Sequence, residues 1–332
     1  IAARKSEAKA RGKLHGRGVS QSVDPSAGPS PETAEVRFDP GGNVTLLVGS
    51  TAGGQSHETI YTQIVSERLG IDAANIRVFE GDTSKLSWGT GTGAARTATI
   101  GGGALSKAVD KVIEKGRKLA GHLLEAGEQD IEFADGNYRV KGSDRNVSLK
   151  QVAMAAFNPT KWPKGFEGGL YENATYLGQK DTYPNGCHIC EVEVDPDTGE
   201  VRLDRYAVVD DVGTVMNPIG LKGQIHGGVA QGVGQILSEQ VVWDSESGQL
   251  LTASFLDYAM PRADMLPSME IKSNPVPTQY NPLGAKGAGE AGTAGAPAAV
   301  MNAINDALLP FGARVNAQPF TPESILRALG RV

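Results

Sequence analysis

The sequence predicts an α+β fold in which helices pack on mixed sheets and which contains two related subdomains. Residues 35–46 and 191–203 each alternate apolar and polar side chains on both sides of an Asp-Pro turn, which is typical of a β-hairpin. A glycine-rich loop and then a helix follow each hairpin. Because hairpins and helices alternate without regular strand–helix–strand units, the predicted class is α+β rather than α/β.

Apolar spacing predicts the helices and one further hairpin. The helix after the first hairpin ends at Gly70, and its apolar face is Tyr61, Ile64, Val65 and Leu69. The next helix carries Leu105, Ala108, Val109, Val112, Leu119 and Leu123, and a small hairpin follows at residues 131–140. The last helix is predicted over residues 298–308, because Pro297 suits a first turn and Pro310 ends a helix.

The length allows one large or two ordinary domains, since 332 residues can bury more than one core. A connection rich in proline and glycine, residues 158–186, has few periodic apolar positions. We therefore predict a first half at residues 1–157 and a second half at residues 187–332.

Composition and charge limit the class of protein. The formal net charge of −6 argues against a nucleic-acid binder, and the basic residues near the start fit the solvated face of a short helix. No apolar run is long enough to span a membrane, and no signal peptide is visible. The 43 glycines lie in short loops rather than in a repeat.

The two cysteines, Cys187 and Cys190, form a single Cys-x-x-Cys pair. On a regular strand the two sulfurs would point to opposite faces, and no second pair completes a zinc site. We therefore expect two structural thiols, which together with the missing secretion signal predict a cytoplasmic protein.

The glycine-dense stretch at residues 284–297 surrounds one carboxylate, that of Glu290. Glycines let the backbone approach a ligand closely, and a helix start offers free N–H groups to an anion. A carboxylate held in such a place is a candidate general base. The alternative is a solvated glutamate in a flexible loop.

Two loops of the first half have similar properties. The Gln55 amide can both donate and accept a hydrogen bond, and the helix that starts near Ser56 leaves N–H groups for a phosphate. Alternatively, Gln55 lies on the surface and Ser56 only caps the helix. In the loop at residues 91–97, Arg96 could bind a phosphate or a carbonyl, or could form a surface salt bridge.

Gln224 and Gln231 are seven residues apart, so two helical turns place them on one side of a helix. The glycines around them permit the close approach of a cofactor or of another helix. We interpret the nearby His226 as structural rather than as a ligand.

Five motifs follow one another along the chain: Gly54-Gln-Ser-His-Glu-Thr59, Gly81-Asp-Thr83 with Gly91-Thr-Gly-Ala-Ala-Arg-Thr97, Asp211-Val-Gly-Thr-Val-Met-Asn-Pro218, Gly223-Gln-Ile-His-Gly-Gly-Val-Ala-Gln-Gly232 and Asn281-Pro-Leu-Gly-Ala-Lys-Gly-Ala-Gly-Glu290. Their order and spacing resemble those of the xanthine oxidase family of molybdenum hydroxylases. Within that family they are most similar to the molybdopterin-binding large subunits of the aerobic carbon monoxide dehydrogenase type. The resemblance covers nearly the whole chain.

The resemblance implies a cofactor and a set of site residues. The cofactor is Mo-molybdopterin cytosine dinucleotide, and Glu290 is the general base in the oxidation of a small substrate with oxygen derived from water. The implied cofactor contacts are Gly54, Gln55, Ser56, Ala95, Arg96, Thr97, Gln224, Gln231, Gly287 and Gly289. Two positions depart from the family pattern: Ser56 stands where the family usually has glycine, and Ala95 where it often has serine.

The resemblance also implies partners. The chain, which begins with Ile rather than Met, matches the C-terminal portion of the large subunit. We expect it to be an enzyme only when assembled with the N-terminal portion and with subunits that carry 2Fe–2S clusters and FAD, in a dimer of heteromers. The alternative is a non-catalytic structural or assembly fragment that retains the fold.

Overall fold

The computed structural model describes residues 1–332, which form eleven strands and seven α-helices. The strands are β1 (Leu14–Val23), β2 (Pro31–Phe38), β3 (Val44–Val48), β4 (Ile76–Glu80), β5 (Ile131–Ala134), β6 (Asn137–Val140), β7 (Asn146–Ser148), β8 (Tyr171–Leu177), β9 (Asn185–Val194), β10 (Val201–Asp211) and β11 (Met269–Ser273). The helices are α1 (Ala2–Ala10), α2 (His57–Leu69), α3 (Gly102–Leu123), α4 (Leu149–Ala156), α5 (Pro218–Leu237), α6 (Ala291–Leu308) and α7 (Pro322–Ala328). None of the helices is both long enough and apolar enough to cross a membrane.

The chain divides into two compact units that are not consecutive in sequence. The first unit contains Ile1–Pro25, Tyr183–Val276 and Ala288–Val332, and the second contains Ser26–Thr182 and Pro277–Gly287. This grouping differs from the division predicted at residues 158–186. The predicted connection includes strand β8. Ile1–Pro25 belongs to the unit that holds most of the second half of the chain, and Pro277–Gly287 belongs to the unit that holds most of the first half.

The second unit is built on a four-stranded sheet with the order β4-β3-β2-β8. β2 pairs antiparallel with both β3 and β8, and β3 pairs parallel with β4 through the crossover helix α2. Alternate apolar residues such as Val36 and Leu46 are fully buried, and α3 packs on β2 and β8. A separate sheet, β5-β6-β7, contains the small hairpin that the sequence predicts.

The first unit repeats this topology with different strands. Its sheet has the order β1-β9-β10-β11, in which β9 pairs antiparallel with β1 and β10, and β10 pairs parallel with β11. Helix α5 makes the crossover, and α6 packs on β1, β9 and α5. The core includes Val192, Val208, Ile225, Val300 and Ile304. The predicted α+β class with two related hairpin-plus-helix subdomains is therefore confirmed.

The two repeats exchange their first strands. In chain order each repeat consists of a strand, a hairpin, a helix, a strand and a helix, beginning at β1 and at β8. However, β1 pairs with β9 of the second repeat, and β8 pairs with β2 of the first repeat. The exchange explains why the compact units do not coincide with the two halves of the sequence.

The prediction for the last helix is wrong at its start. α6 begins at Ala291, seven residues before the predicted start, and Pro297 lies inside it. The proline removes one backbone donor. The helix nevertheless continues, because it is packed against β1, β9 and α5 and its apolar stripe is buried. As a consequence, the N-terminus of the helix lies at Glu290.

The two cysteines lie on opposite faces of β9, as the strand parity predicts. Cys190 is fully buried and Cys187 is half-buried, and both are free thiols. Burial raises the pKa of the Cys190 thiol well above its ordinary value, so this thiol stays protonated and unreactive.

Candidate cofactor-binding loops and a carboxylate at a helix start

In the second unit, the loop after β3 has unobstructed space beside its backbone. It leads into helix α2, whose N-terminus has no side-chain cap. Gly54 has a φ of +100°, and nothing lies within 4 Å of the position of an added Cβ. The Gln55 side chain folds back to accept a hydrogen bond from the Gly53 amide. Ser56 occupies the N-cap position of α2, but its side chain makes no capping hydrogen bond and its φ is +64°. This left-handed backbone favours glycine, and here a serine adopts it.

The loop at residues 91–97 is strained where cofactor contacts are expected. Ala94 and Ala95 both have positive φ, +47° and +50°, which is uncommon for residues with a side chain. Gly287 packs against this turn: a Cβ at Gly287 would lie 2.5 Å from the Ala95 carbonyl oxygen. The Gly287 amide also donates a hydrogen bond to Ser26 Oγ at 3.1 Å. Two of the predicted site residues, Ala95 and Gly287, are therefore adjacent.

Arg96 holds this loop from within. The residue is 7% exposed, and its guanidinium donates hydrogen bonds to Thr90 Oγ1 and to the carbonyl oxygens of Gly91 and Pro31. It also lies 3.5 Å from the Glu32 carboxylate, which is itself 1% exposed. Both terminal nitrogens are therefore occupied by internal acceptors. The arginine is salt-bridged, as one of the two sequence interpretations has it, but it is buried rather than at the surface.

A second buried network, which sequence analysis did not assign, joins three segments of this unit. Ser50 Oγ donates to the Glu80 carboxylate at 2.6 Å, and His57 Nδ1 lies 3.1 Å from the same oxygen. The Tyr61 hydroxyl is 2.9 Å from Ser50 Oγ and 3.5 Å from the carbonyl oxygen of Thr97. Burial raises the pKa of Tyr61 well above its ordinary value, so the hydroxyl remains protonated. The network ties the loop before α2, the end of β4 and Thr97 together.

In the first unit, Glu290 is the N-cap residue of α6 and is exposed. Its side chain does not cap the helix, whereas Ser148, Asn217 and Thr321 cap α4, α5 and α7. The preceding Gly289 is also exposed. An exposed carboxylate at the N-terminus of an 18-residue helix lies where the helix macrodipole favours negative charge.

The glycines of helix α5 fall into two groups, those that contact α6 and those that face open space. Gly228 and Gly232 contact α6, where added Cβ atoms would lie 2.8 Å from Thr293 N and 2.7 Å from Ala296 Cβ. Gly223 and Gly227 have open space instead. Gln224 is half-buried, and the exposed Gln231 accepts a hydrogen bond from Thr293 Oγ1 at 3.2 Å. Gln231 is thus linked to the first turn of α6.

A buried polar group also supports α6 from the sheet. His188 is fully buried, with Nδ1 2.9 Å from the Tyr206 hydroxyl and Nε2 3.6 Å from the Asp210 carboxylate. Its ring lies against α6, because a Cβ at Gly295 would be 2.3 Å from His188 Cδ2. The only sequence signal for this group was polar residues at inward positions of β9 and β10.

One cluster has the residue types of a metal site, namely His15, Glu191 and Asp204. However, Arg4 donates hydrogen bonds to both oxygens of Glu191, and His15 Nε2 lies 3.2 Å from the same carboxylate. Burial alone would raise the pKa of Glu191, but the hydrogen bonds from Arg4 and His15 hold it below its ordinary value. The cluster is therefore explained as an ion pair between α1 and β9.

Glycine-rich loops with open backbone and an uncapped helix start are typical of sites that bind a ligand through backbone groups. Comparison with known proteins identifies the class. Residues 1–267 match the family described as the molybdopterin cofactor-binding domain, and the chain belongs to this family.

Relatives of this chain include large subunits of oxidoreductases. The nicotine 6-hydroxylase large subunit of Paenarthrobacter nicotinovorans is 39% identical over 340 residues, which cover 98% of this chain and 41% of the relative. The carbon monoxide dehydrogenase large chain of Afipia carboxidovorans is 36% identical over 277 residues, covering 83% and 34%. The crystal structure of quinoline 2-oxidoreductase from Pseudomonas putida 86 superposes with a TM-score of 0.91 at 37% identity, covering 99% of this chain and 43% of that one.

These similarities confirm the resemblance to large subunits of the carbon monoxide dehydrogenase type. They also show that the chain spans less than half the length of these relatives.

Proposed function

We propose that this chain is the cofactor-holding portion of the catalytic large subunit of a molybdenum hydroxylase. The support is its membership of the molybdopterin cofactor-binding family and its similarity to subunits named as hydroxylase, dehydrogenase and oxidoreductase. The single observation that carries the catalytic role is the exposed, uncapped Glu290 at the start of α6.

The residues of the second unit fit a phosphate-bearing pterin cofactor. Gly54 has open space at its Cβ position, and the start of α2 lacks a side-chain cap, so backbone N–H groups are free to bind an anion. Ala94 and Ala95 hold a left-handed turn of the kind that forms a concave set of amides. Backbone and small side chains can therefore approach the cofactor closely.

We assign the cofactor contacts accordingly. Gly54, Gln55 and Ser56 contribute through the loop before α2, and Ala95, Thr97 and Gly287 through the strained turn. Arg96 stabilises this turn from within by pairing with Glu32, so at this position the proposed cofactor contact comes from the backbone of the turn. In the first unit, we assign Gln224, Gln231 and Gly289, with Gln231 positioned by Thr293.

Glu290 acts as the general base in this proposal. When bound, the molybdenum centre supplies the two-electron oxidation of the substrate. The chain's own contribution is a carboxylate that accepts a proton at one of its oxygens, on a helix whose position is fixed by glycine contacts with α5 and by His188. Lys286 lies four residues before Glu290 and receives no role.

The cofactor form and the partners are part of the same proposal. We propose Mo-molybdopterin cytosine dinucleotide as the cofactor and a small molecule as the substrate. The partners are the N-terminal portion of the large subunit and subunits that carry 2Fe–2S clusters and FAD. The assembly is a dimer of heteromers in the cytoplasm.

The test is replacement of Glu290 in the assembled protein. We expect Glu290→Gln to retain molybdenum, measured per chain by elemental mass spectrometry, while turnover falls by at least about 100-fold. Glu323→Gln, at the exposed first turn of α7, is the matched control and should leave turnover unchanged. Near-normal turnover of Glu290→Gln would remove the catalytic role, and an intact complex without molybdenum would favour a structural fragment.

A further inference from the structure

The sheet of the first unit exposes a small apolar surface on the face opposite α6. We call the three residues Val19, Ile189 and Val209 the outer-face patch; their exposed fractions are 47%, 38% and 45%. All three belong to regular strands, so ladder hydrogen bonds rather than loop conformations fix their positions.

Strand register makes the patch contiguous. Val19 lies opposite Ile189 in the β1–β9 ladder, and Ile189 lies opposite Ala207 in the β9–β10 ladder. Val209 lies opposite Cys187, one outward position further along β9. Residues directly opposite one another on the same face are in side-chain contact range. Outward positions at the middle of three neighbouring strands therefore form one apolar surface. It is bordered on the same face by the exposed Gln21 and Asn185, which separate it from Val23.

This surface departs from what a solvated sheet face requires. Antiparallel sheets with one wet face alternate apolar and polar residues, whereas strands that are covered on both faces carry runs of apolar residues. On β10, Tyr206, Ala207, Val208 and Val209 are consecutive, so both faces are apolar. The pattern is that of a middle layer rather than of an outer layer.

The equivalent face of the second unit is the internal control. On its two corresponding strands, Asn173 and Thr175 of β8 face Glu35 and Thr33 of β2, and Arg37 of β2 faces the exposed Tyr171. Arg37 and Glu35 form an ion pair on this surface. The one outward leucine of β3, Leu47, is already fully buried. The exposed apolar residues of this face, Tyr171, Leu177 and Phe79, lie on the edge strands β8 and β4. The same topology therefore does not require the apolar row across adjacent strands that the first unit carries.

We propose that the outer-face patch is the docking surface for the part of the large subunit that lies outside these 332 residues. This chain accounts for 41% and 34% of the length of two relatives, so more than half of each relative has no counterpart here. Helix α1 already covers the other end of the same face, where Arg4 pairs with Glu191. The docked segment continues this layer over the valines and Ile189.

A second group of exposed apolar residues, which includes Trp243, Phe255 and Leu256, lies on the irregular segment between α5 and β11. No sheet or helix fixes these side chains in one plane. The outer-face patch is therefore the surface whose shape can be matched by a packed element.

Thiol labelling in the assembled protein tests whether the patch is covered. In a Cys187→Ser background, Val19→Cys and Val209→Cys should react with a maleimide at least about tenfold more slowly in the native assembly than after unfolding with denaturant. Thr175→Cys, exposed on the equivalent face of the second unit, is the matched comparison for native labelling. Labelling of both patch positions at the rate of the unfolded chain would overturn the proposal.

Photo-cross-linking identifies the occupant. Benzoylphenylalanine in place of Val209 should yield a cross-linked peptide from the large subunit outside residues 1–332. A cross-link to a second copy of this chain, or to another subunit, would overturn the choice of occupant. Neither experiment depends on turnover, so failure here is distinguishable from failure of the Glu290 role.

Discussion

The two units share one strand order but stabilise their site loops by opposite means. In the second unit, buried polar and charged groups hold the loops: Arg96 pairs with Glu32, and Ser50 and His57 meet at Glu80. In the first unit, the helix that carries Glu290 is held mainly by close backbone contact at small residues, with the buried His188 as an added polar support. A Cβ at Gly18 would lie 2.0 Å from the Ala303 carbonyl oxygen.

This difference teaches that the two units should fail under opposite kinds of substitution. Removing one member of a buried ion pair leaves an uncompensated charge, so the second unit is sensitive to loss of side-chain atoms. Adding a methyl group between closely packed backbones forces displacement, so the first unit is sensitive to gain of atoms. The predictions below test this contrast in order of expected size.

The largest effect is expected for Arg96→Met. The substitution leaves the Glu32 carboxylate, 1% exposed, without its cation, and should lower the free energy of unfolding by about 3–5 kcal/mol. The comparison in the first unit is Arg4→Met. This arginine side chain is 34% exposed, and the Glu191 carboxylate keeps His15 as a partner, so the loss of stability should be smaller. Urea denaturation of both variants measures the difference. Equal losses would show that burial does not separate the two pairs.

A pair of neighbouring glycines in α5 provides the next test. Gly228→Ala places a methyl carbon 2.8 Å from the Thr293 amide nitrogen of α6, and should destabilise the protein by about 1–3 kcal/mol. Gly227→Ala, one residue earlier with nothing within 4 Å of the added carbon, should instead stabilise it by about 0.4–1 kcal/mol. The sign of the difference, read from thermal or urea unfolding, is the decisive result. Two changes of the same sign would refute close packing at this crossing.

Sequence patterns predicted the elements well where local periodicity determines them. The two large hairpins, the end of α2 at Gly70 and the opposite directions of Cys187 and Cys190 follow from strand alternation and glycine geometry, and the structure confirms each. The exchange of β1 and β8 could not be predicted, because strand partners that are distant in sequence leave no local signal. Nor could the early start of α6, since packing against β1 and α5 overrides the proline at position 297.

The candidate site was predictable to a similar extent. The motifs brought Ala95 and Gly287 to attention although 192 residues separate them, and the structure places them in contact. Buried partners such as Glu32, Ser50 and Glu80 were missed, because a polar residue on a predicted strand gives no sign that it faces inward toward a loop. The burial of Arg96 could not be predicted for the same reason, because it depends on tertiary contacts with Glu32.

The smallest effect is expected for surface ion pairs, which the two units have in common. A hydrogen bond from Lys13 lowers the pKa of Asp195 from 3.8 to about 2 in the first unit, and one from Lys85 lowers that of Asp82 to about 2 in the second. A depressed folded-state pKa contributes stability that is complete above the unfolded pKa and is lost as the pH falls through the folded pKa. We therefore expect the wild type to exceed Lys13→Met and Lys85→Met slightly in melting temperature above pH 4, with both differences shrinking between about pH 4 and pH 2. Differential scanning calorimetry across this pH range measures the two variants side by side. Because both carboxylates are partly exposed, Asp195 at 22% and Asp82 at 34%, the two curves should be alike. A difference confined to one unit would show that surface charge also separates them.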